Sequence, residues 1–259
     1  KNFGLVLVDS FVKGMREIGY TSSATAINEL IDNAIQSGAS SLEIIAKTTK
    51  GSDNKPEAIA FKDNGHGMDP DMIRVAGMWG GTHRESYGKP IGRKGFGRFG
   101  YGLPSASLSQ CRSFTIYSKT SDGELNKVTI DTDALINGDY NDDNGHPVVP
   151  KAQSAQLPDW IGNLDFGTVI VWEKIDRIFP KTISGFIQSF APVFGTTYWR
   201  NIQSGLKILL FGKIIDAIDP LFQSQGLKGY NSIGENNISK AEVFDPIICP
   251  VKISQNVNG

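Results

Sequence analysis

Three groups of residues in this sequence have types and spacings that chemistry could use. The first is Glu29, Asp32 and Asn33, set in a segment whose apolar residues Ala24, Ile27, Leu30, Ile31, Ala34 and Ile35 recur at helical spacing. Glu29 and Asn33 are four apart and Asp32 is three from Glu29, so all three crowd one helical face. On an isolated helix this is a solvated face. Asparagine, however, is a poor helix former that gains nothing at mid-helix in solvent. A site would use Asn33 as a hard oxygen ligand for Mg²⁺ and leave Glu29 free to polarise a water.

The second group is Asp63-Asn-Gly65-His-Gly67-Met68, directly after the hydrophobic run Ala58–Phe61. It has the composition of an ordinary turn. As a site, Asp63 buried at a strand end would accept a hydrogen bond from an adenine amino group. Guanine would present an acceptor to an acceptor-only carboxylate and be rejected. Gly65 and Gly67 would let the backbone approach the base.

The third group is Gly97-Arg-Phe-Gly100-Tyr-Gly102, running into a helix that opens near Leu103. Eight of the chain's 29 glycines fall between Gly80 and Gly102. Successive amides in such a loop can converge on phosphate oxygens, and a helix N-terminus adds its dipole. Arg93, Lys94 and Arg98 put positive charge beside them. Thr168 adds one hydroxyl at the start of the strand Gly167–Val171, which alone reads as a core strand.

Other motifs fail on context. Gly95-Phe-Gly97-Arg-Phe-Gly100 satisfies the dinucleotide G-x-G-x-x-G, but no strand precedes it; residues 83–90 are His-Arg-Glu-Ser-Tyr-Gly-Lys-Pro. Asp165-Phe-Gly167 has no His-Arg-Asp before it, which argues against a kinase loop. Neither Gly88-Lys89 nor Gly212-Lys213 completes a P-loop. The acidic stretch around Asp139, Asn141 and Asp143 would need to begin at Tyr140 to be a calcium loop ending its turn on Gly145.

The elements that must position these groups can be read in outline. The 259 residues are 39% hydrophobic and 20% charged, enough for a real core and too apolar for a disordered chain. With 26 basic against 27 acidic residues, nothing advertises a nucleic-acid or membrane surface, so DNA binding is unsupported. No run approaches the roughly 18 to 20 apolar residues of a membrane helix. Cys111 and Cys249 make no metal or disulfide motif, which fits a reducing cytoplasm. Helices are expected at 8–18, at 24–37 behind the hydroxyls of Thr21-Ser22-Ser23 and stopped by Gly38, after Asp69-Pro70, at 103–108, and over 180–198. Strands are expected at 42–46, 58–61, 113–118, 127–130, 168–172, 206–211, 213–218 and 242–251, with a tight hairpin at Gly212-Lys213. A composition change near Asp176 divides the chain into 1–176 and a β-rich unit at 177–259. Lys1 in place of Met, and an unfinished end, read as a fragment of a longer protein.

In this order and spacing the motifs resemble the GHKL ATPase superfamily, which includes gyrase B, MutL, the ninety-kilodalton heat-shock chaperones, microrchidia proteins and sensor histidine kinases. The resemblance covers roughly residues 10–175. Glu29-Leu-Ile-Asp-Asn33-Ala and Ile91-Gly-Arg-Lys-Gly95 look most like the chaperone-like and microrchidia-like branch. Residues 205–222 resemble the start of a transducer-like second domain. Gln36 departs from the pattern, standing where several relatives carry an acidic residue.

The resemblance implies an α/β (α+β) two-layer sandwich of the Bergerat ATP-binding type, a mixed, mostly antiparallel sheet with helices on one face. It implies ATP and Mg²⁺ as ligands, with Glu29 the general base and Asn33 the metal ligand. Asp63, Gly65, Gly67 and Met68 would contact the adenine, and Thr168 would support it through water. Residues 80–102 would form a lid in which Gly97, Arg98, Phe99, Gly100, Tyr101 and Gly102 hold the phosphates and Lys94 stabilises the transferring group. Slow hydrolysis to ADP would drive lid closure and an ATP-dependent homodimer of the full-length protein. A non-hydrolysing ATP sensor is an alternative. A histidine-kinase-type transfer is another, although residues 1–23 supply no histidine to receive phosphate.

Overall fold

The computed structural model describes residues 7–18, 20–48, 54–80, 100–221 and 223–227. The expected strand at 242–251 and most of the expected lid (81–99) lie outside these residues. Residues 1–217 form one compact unit, and residues from 218 belong to a second.

The first unit is an eight-stranded sheet faced by helices. Helices α1 (Val8–Ile18) and α2 (Ser23–Gln36) lead into the hairpin β1 (Ser41–Thr48) and β2 (Pro56–Asp63), followed by α3 (Pro70–Ala76). After the glycine-rich segment come α4 (Gly102–Gln110), β3 (Cys111–Lys119), β4 (Asn126–Asp131), α5 (Thr132–Asn137) and β5 (Gln153–Ser154). The unit closes with β6 (Gly167–Ile175), α6 (Ile183–Thr197), α7 (Trp199–Gln203), β7 (Lys207–Leu210) and β8 (Lys213–Ile214). The strand order is β5-β4-β3-β6-β2-β1-β7-β8. Every neighbouring pair is antiparallel except β1 with β7. This is the mixed, mostly antiparallel sheet that the sequence led one to expect.

The central strands are apolar on both faces because both faces are covered. Ile59 and Phe61 of β2, Ile170 and Trp172 of β6, and Phe114 and Ile116 of β3 point into the helix-covered core. The alternate residues Ala58, Ala60, Val169, Val171 and Tyr117 meet a smaller cluster roofed by Ile161, Trp160 and Leu164. That explains why these strands read as continuous hydrophobic runs rather than as alternation.

Helix α2 lies against this core through Ala26, Ile27, Leu30, Ile31 and Ala34, all buried. Burying each of the three larger side chains is worth about 1.5–3 kcal/mol. The helix begins as expected among the three hydroxyls. Ser22 is its N-cap, accepting from the Thr25 N–H while the Thr25 hydroxyl returns to the Ser22 backbone, a capping box. Asp69 caps α3 ahead of Pro70, its side chain accepting from the Asp71 and Met72 N–H groups.

Helices α6 and α7 and strands β7 and β8, all after residue 176, are part of this unit. Phe186, Phe190 and Phe194 of α6 join the main core, and β7 pairs parallel with β1, placing Ile208 and Leu210 beside Leu42 and Ile44. The hairpin at Gly212 does form, joining β7 to β8. What the hairpin could not reveal is that its first strand completes an existing sheet, because parallel pairing links residues more than 160 positions apart. In the second unit, the Asp219 carboxylate gathers the N–H groups of Leu221, Gln223 and Ser224 into a turn.

Replacing Ser22 with alanine removes the side-chain half of the capping box, the acceptor for the Thr25 N–H, so Ser22→Ala is expected to destabilise the protein by about 1 kcal/mol. Chemical denaturation should show a lower midpoint with an unchanged slope.

Candidate functional site

The β2–β6–β3 register builds the floor of a cavity at one end of the sheet. Asp63 pairs with Thr168, and Thr168 pairs with Ser118, across the three central strands. These positions continue the helix-facing rows of Phe61, Ile170 and Ile116 by one step, so the last layer of the core becomes polar. A cavity of about 350 Å³ opens above it, lined by Glu29, Asn33, Asp63, Gly67, Met68, Gly100, Gly102 and Thr168. Leu42, Phe61 and Ile170 supply its apolar wall, and Gln36, Ser37, Met72, Leu103 and Pro104 also line it.

Asp63 is 8% exposed and is the last residue of β2. Burial raises its carboxyl from the ordinary value of 3.8 to about 6. Opposing that rise are the Gly65 N–H at 2.8 Å from Oδ1, the Thr168 backbone N–H, the nearby His66 and the Ser37 hydroxyl. A carboxylate held in an apolar wall with spare acceptor capacity is suited to a ligand that brings donors.

Beside it, the Ser118 hydroxyl ties three segments together. It accepts from the Met68 N–H at 2.8 Å and lies 2.9 Å from both the Gly167 carbonyl and the Thr168 hydroxyl. With the single Ser118 proton on Gly167, Thr168 donates to Ser118 and keeps its lone pairs for the cavity. Gly67 is required at its position: φ is +70°, and a Cβ would sit 2.0 Å from the Lys119 carbonyl oxygen.

Helix α2 forms the opposite wall. Residues advance about 100° per step around a helix. Asn33 therefore lies beside Glu29 on the cavity side, while Asp32 falls on the other flank. The structure thus separates three residues that the sequence placed on one face: Glu29 and Asn33 line the cavity, and Asp32 turns away to the Tyr198 hydroxyl, 3.1 Å from Oδ1. Glu29 is half-buried and packs against Gly102, where a Cβ would lie 1.8 Å from Oε1; any larger residue at 102 displaces the carboxylate. Burial raises the Glu29 carboxyl above its ordinary value, and the charge of Asp32 adds to the rise. Tyr20 packs nearby, and burial together with Glu29 pushes its phenol up to about 12.

Among the described residues no cluster of three or more His, Cys, Asp or Glu side chains could hold a metal. The donor set fits a cation that arrives with a phosphorylated ligand. Mg²⁺ commonly keeps its waters and takes one or two protein oxygens plus substrate phosphates, and Asn33 is the lining residue that would supply such an oxygen.

Two expected contacts do not line the cavity. Gly65 acts through its N–H on Asp63, and Tyr101, 47% exposed, precedes α4 outside the lining. Lys94, Gly97, Arg98 and Phe99 lie outside the described residues. His66 is exposed, yet it contributes to the rim. Ser118, Tyr20 and Tyr198 were missed. Only Ser118 carried a signal, a hydroxyl on the inward row of an otherwise apolar strand, and reading it required the register.

With this geometry in hand, comparison with known proteins is direct. The family model for histidine kinase-, DNA gyrase B- and HSP90-like ATPases matches residues 20–168. The chain belongs to this family. The matched segment begins at Tyr20, just before α2, and ends at Thr168 on the cavity floor, so it contains Glu29, Asn33, Asp63 and the glycine-rich segment. Membership implies ATP binding. Among solved structures, the chain is similar to the N-terminal domain of a DNA repair protein, with 18% identity and a TM-score of 0.47; the match covers 76% of this chain and 50% of that one. The chain therefore spans half the length of that relative. The curated proteins give no match. No helix among the described residues is long and apolar enough to cross a membrane.

Asp63 carries a stability signature of its own. Its native carboxyl holds a proton to about pH 6, whereas the unfolded chain releases it near 3.8, so stability falls as pH rises through that window. Asp63→Asn removes the penalty and is expected to stabilise the ligand-free protein by about 1–3 kcal/mol at pH 7. The gain should vanish below about pH 4, as denaturant midpoints measured at both pH values would show.

Proposed function

We propose that this chain is the Mg²⁺-dependent, ATP-hydrolysing part of a conformational switch. The observation that carries the reading is that Glu29, Asn33, Asp63 and Thr168, from one helix and two strands, face a single cavity. The adenine sits on the strand ends, its amino group donating to Asp63 and its remaining edge reached by Thr168 through water. Met68 and Ile170 pack the ring faces. Gly100 and Gly102, at the start of α4, offer amides and the positive end of a helix dipole to the phosphates.

Asn33 would hold Mg²⁺, which when bound supplies charge neutralisation at the phosphate oxygens. Glu29 takes a proton from the attacking water as its oxygen bonds to the γ-phosphorus. The bond from that phosphorus to the β–γ bridging oxygen breaks, leaving ADP and inorganic phosphate. A carboxylate whose affinity for a proton is raised by burial suits this task, because it holds the abstracted proton more firmly. Lys94 and Arg98 are proposed to stabilise charge on the transferred group. Slow turnover would time lid closure and dimerisation of the full-length protein, with the chaperone-like and microrchidia-like branch as a functional parallel.

Nucleotide binding and phosphate release, measured together with ATP and Mg²⁺, test the assignment. Glu29→Ala should bind ATP while turnover falls by about 10²–10⁴-fold. Asp63→Asn should weaken ATP binding by at least about 100-fold, because the amide cannot reproduce the buried acceptor. A parent protein that binds ATP without releasing phosphate would turn the reading into one of nucleotide sensing. No binding at all would overturn it.

A further inference from the structure

A second cavity lies on the other side of α3. Its volume is about 840 Å³, against about 350 Å³ for the cavity at the strand ends. Helix α3 divides the two: Met72 and Ala76 line the first, whereas Asp71, Arg74 and Val75 line the second. Steps of about 100° put these two sets on different faces of one short helix. Most of the second lining is apolar, with Phe11 of α1, Val75, Trp79, Ile130 of β4, Leu135 of α5 and Val148 among its residues. The Phe11 and Trp79 rings meet edge to face, 5.4 Å between centres. Met78 and Val148, also in the lining, are 42% and 46% exposed, so large apolar side chains stand open to solvent here.

The polar groups of this lining are few and unevenly matched. The Tyr140 hydroxyl is committed, accepting from the Asp131 N–H at 3.1 Å and donating to the Thr129 carbonyl at 3.3 Å. Asp71 is exposed. Arg74 is half-buried and uses one of its five N–H donors, on the Val149 carbonyl at 3.3 Å. Its Nε is buried without an acceptor, and so is Trp79 Nε1. Among the described residues no carboxylate lies within ion-pair distance of Arg74. A guanidinium kept beside an apolar cavity with donors unused is compensated by an anion that brings acceptors.

We propose that this cavity binds a small carboxylic acid with an apolar body. The carboxylate takes the fork of Arg74, and the apolar body lies along Trp79, Leu135 and Val148. The volume and the lining both suit such a ligand, because small-molecule sites typically enclose about 300–1,000 Å³ and set a few polar groups in an apolar wall. The site is separate from the one read above as the ATP site, and it stands or falls without it.

The probe is decanoate, below its micelle-forming concentration and without nucleotide, with binding followed by calorimetry. One equivalent should bind saturably. Decanol, with the same chain and no charge, should bind at least about tenfold more weakly, and Arg74→Leu should bring decanoate down to the level of decanol. Val148→Asp sets a carboxylate in an exposed part of the wall and should weaken decanoate by a similar factor. It keeps the proposal testable if Arg74→Leu lowers the denaturation midpoint. An ω-bromoundecanoate should quench tryptophan emission in the parent and lose most of that quenching in Trp79→Phe. ATP with Mg²⁺ should not compete with decanoate.

Absence of saturable binding overturns the proposal. So does equal binding of decanol and decanoate, which would leave an apolar groove suited to a protein segment, or affinity unchanged in both Arg74→Leu and Val148→Asp. Quenching that survives Trp79→Phe, or competitive displacement by ATP, would place the ligand elsewhere and overturn it as well. Failure of ATP to bind, with decanoate behaving as stated, would sink the ATPase reading and leave this site standing.

Discussion

The site depends on a carboxylate buried where β2 ends. A charge in an apolar wall is tolerated when hydrogen bonds reach it, and the surroundings of Asp63 are organised to supply some but not all of them. The Gly65 N–H returns from the turn, and Thr168 contributes its backbone N–H from the neighbouring strand. The chain then passes close under Lys119, which requires Gly67, and is held there by Ser118. The net result remains unfavourable for the ionised group. A protein that keeps such a group in a cavity wall has left an acceptor for a ligand that brings donors.

The opposite wall obeys a different constraint, the period of a helix. The apolar stripe of α2 is fixed by the core, and this sets the direction of every other residue on it. With Leu30, Ile31 and Ala34 committed to the sheet, Glu29 and Asn33 face the cavity and Asp32 must face α6. The contact between Glu29 and Gly102 then couples α2 to the first residue of α4, where the glycine-rich segment ends. Movement of that segment at its C-terminal end would be felt directly at the proposed base.

Much of this was legible in the sequence because the signals were local. The period of α2, its hydroxyl cap, the Asp69-Pro70 start of α3 and the position of Asp63 at a strand end all lie within a few residues of what determines them. The family resemblance added what no single motif could, since the motifs are individually ordinary and specific only in combination. What escaped was long-range. The pairing of β1 with β7, the alignment of Ser118 with Thr168, and the reach of Tyr198 to Asp32 join residues 50 to 166 positions apart. The helix Thr132–Asn137 was missed for another reason: six residues carry too little periodicity to read, and its Asp131 cap pairs with Lys174 on a strand far along the chain.

The long-range contacts also explain why residues 177–217 cannot be treated as an appendage. Strand β6 is central to the sheet and runs to Ile175, and its first residues form the cavity floor. The phenylalanines of α6 fill the same core that orients α2, and β7 covers the open edge of β1, which would otherwise expose unpaired backbone groups. Helix α6 and strand β7 bear on the site through α2 and β1 rather than by touching the cavity. A site assembled from a helix and strand ends is only as precise as the packing that fixes their separation, and here part of that packing comes from residues beyond the segment that identifies the family.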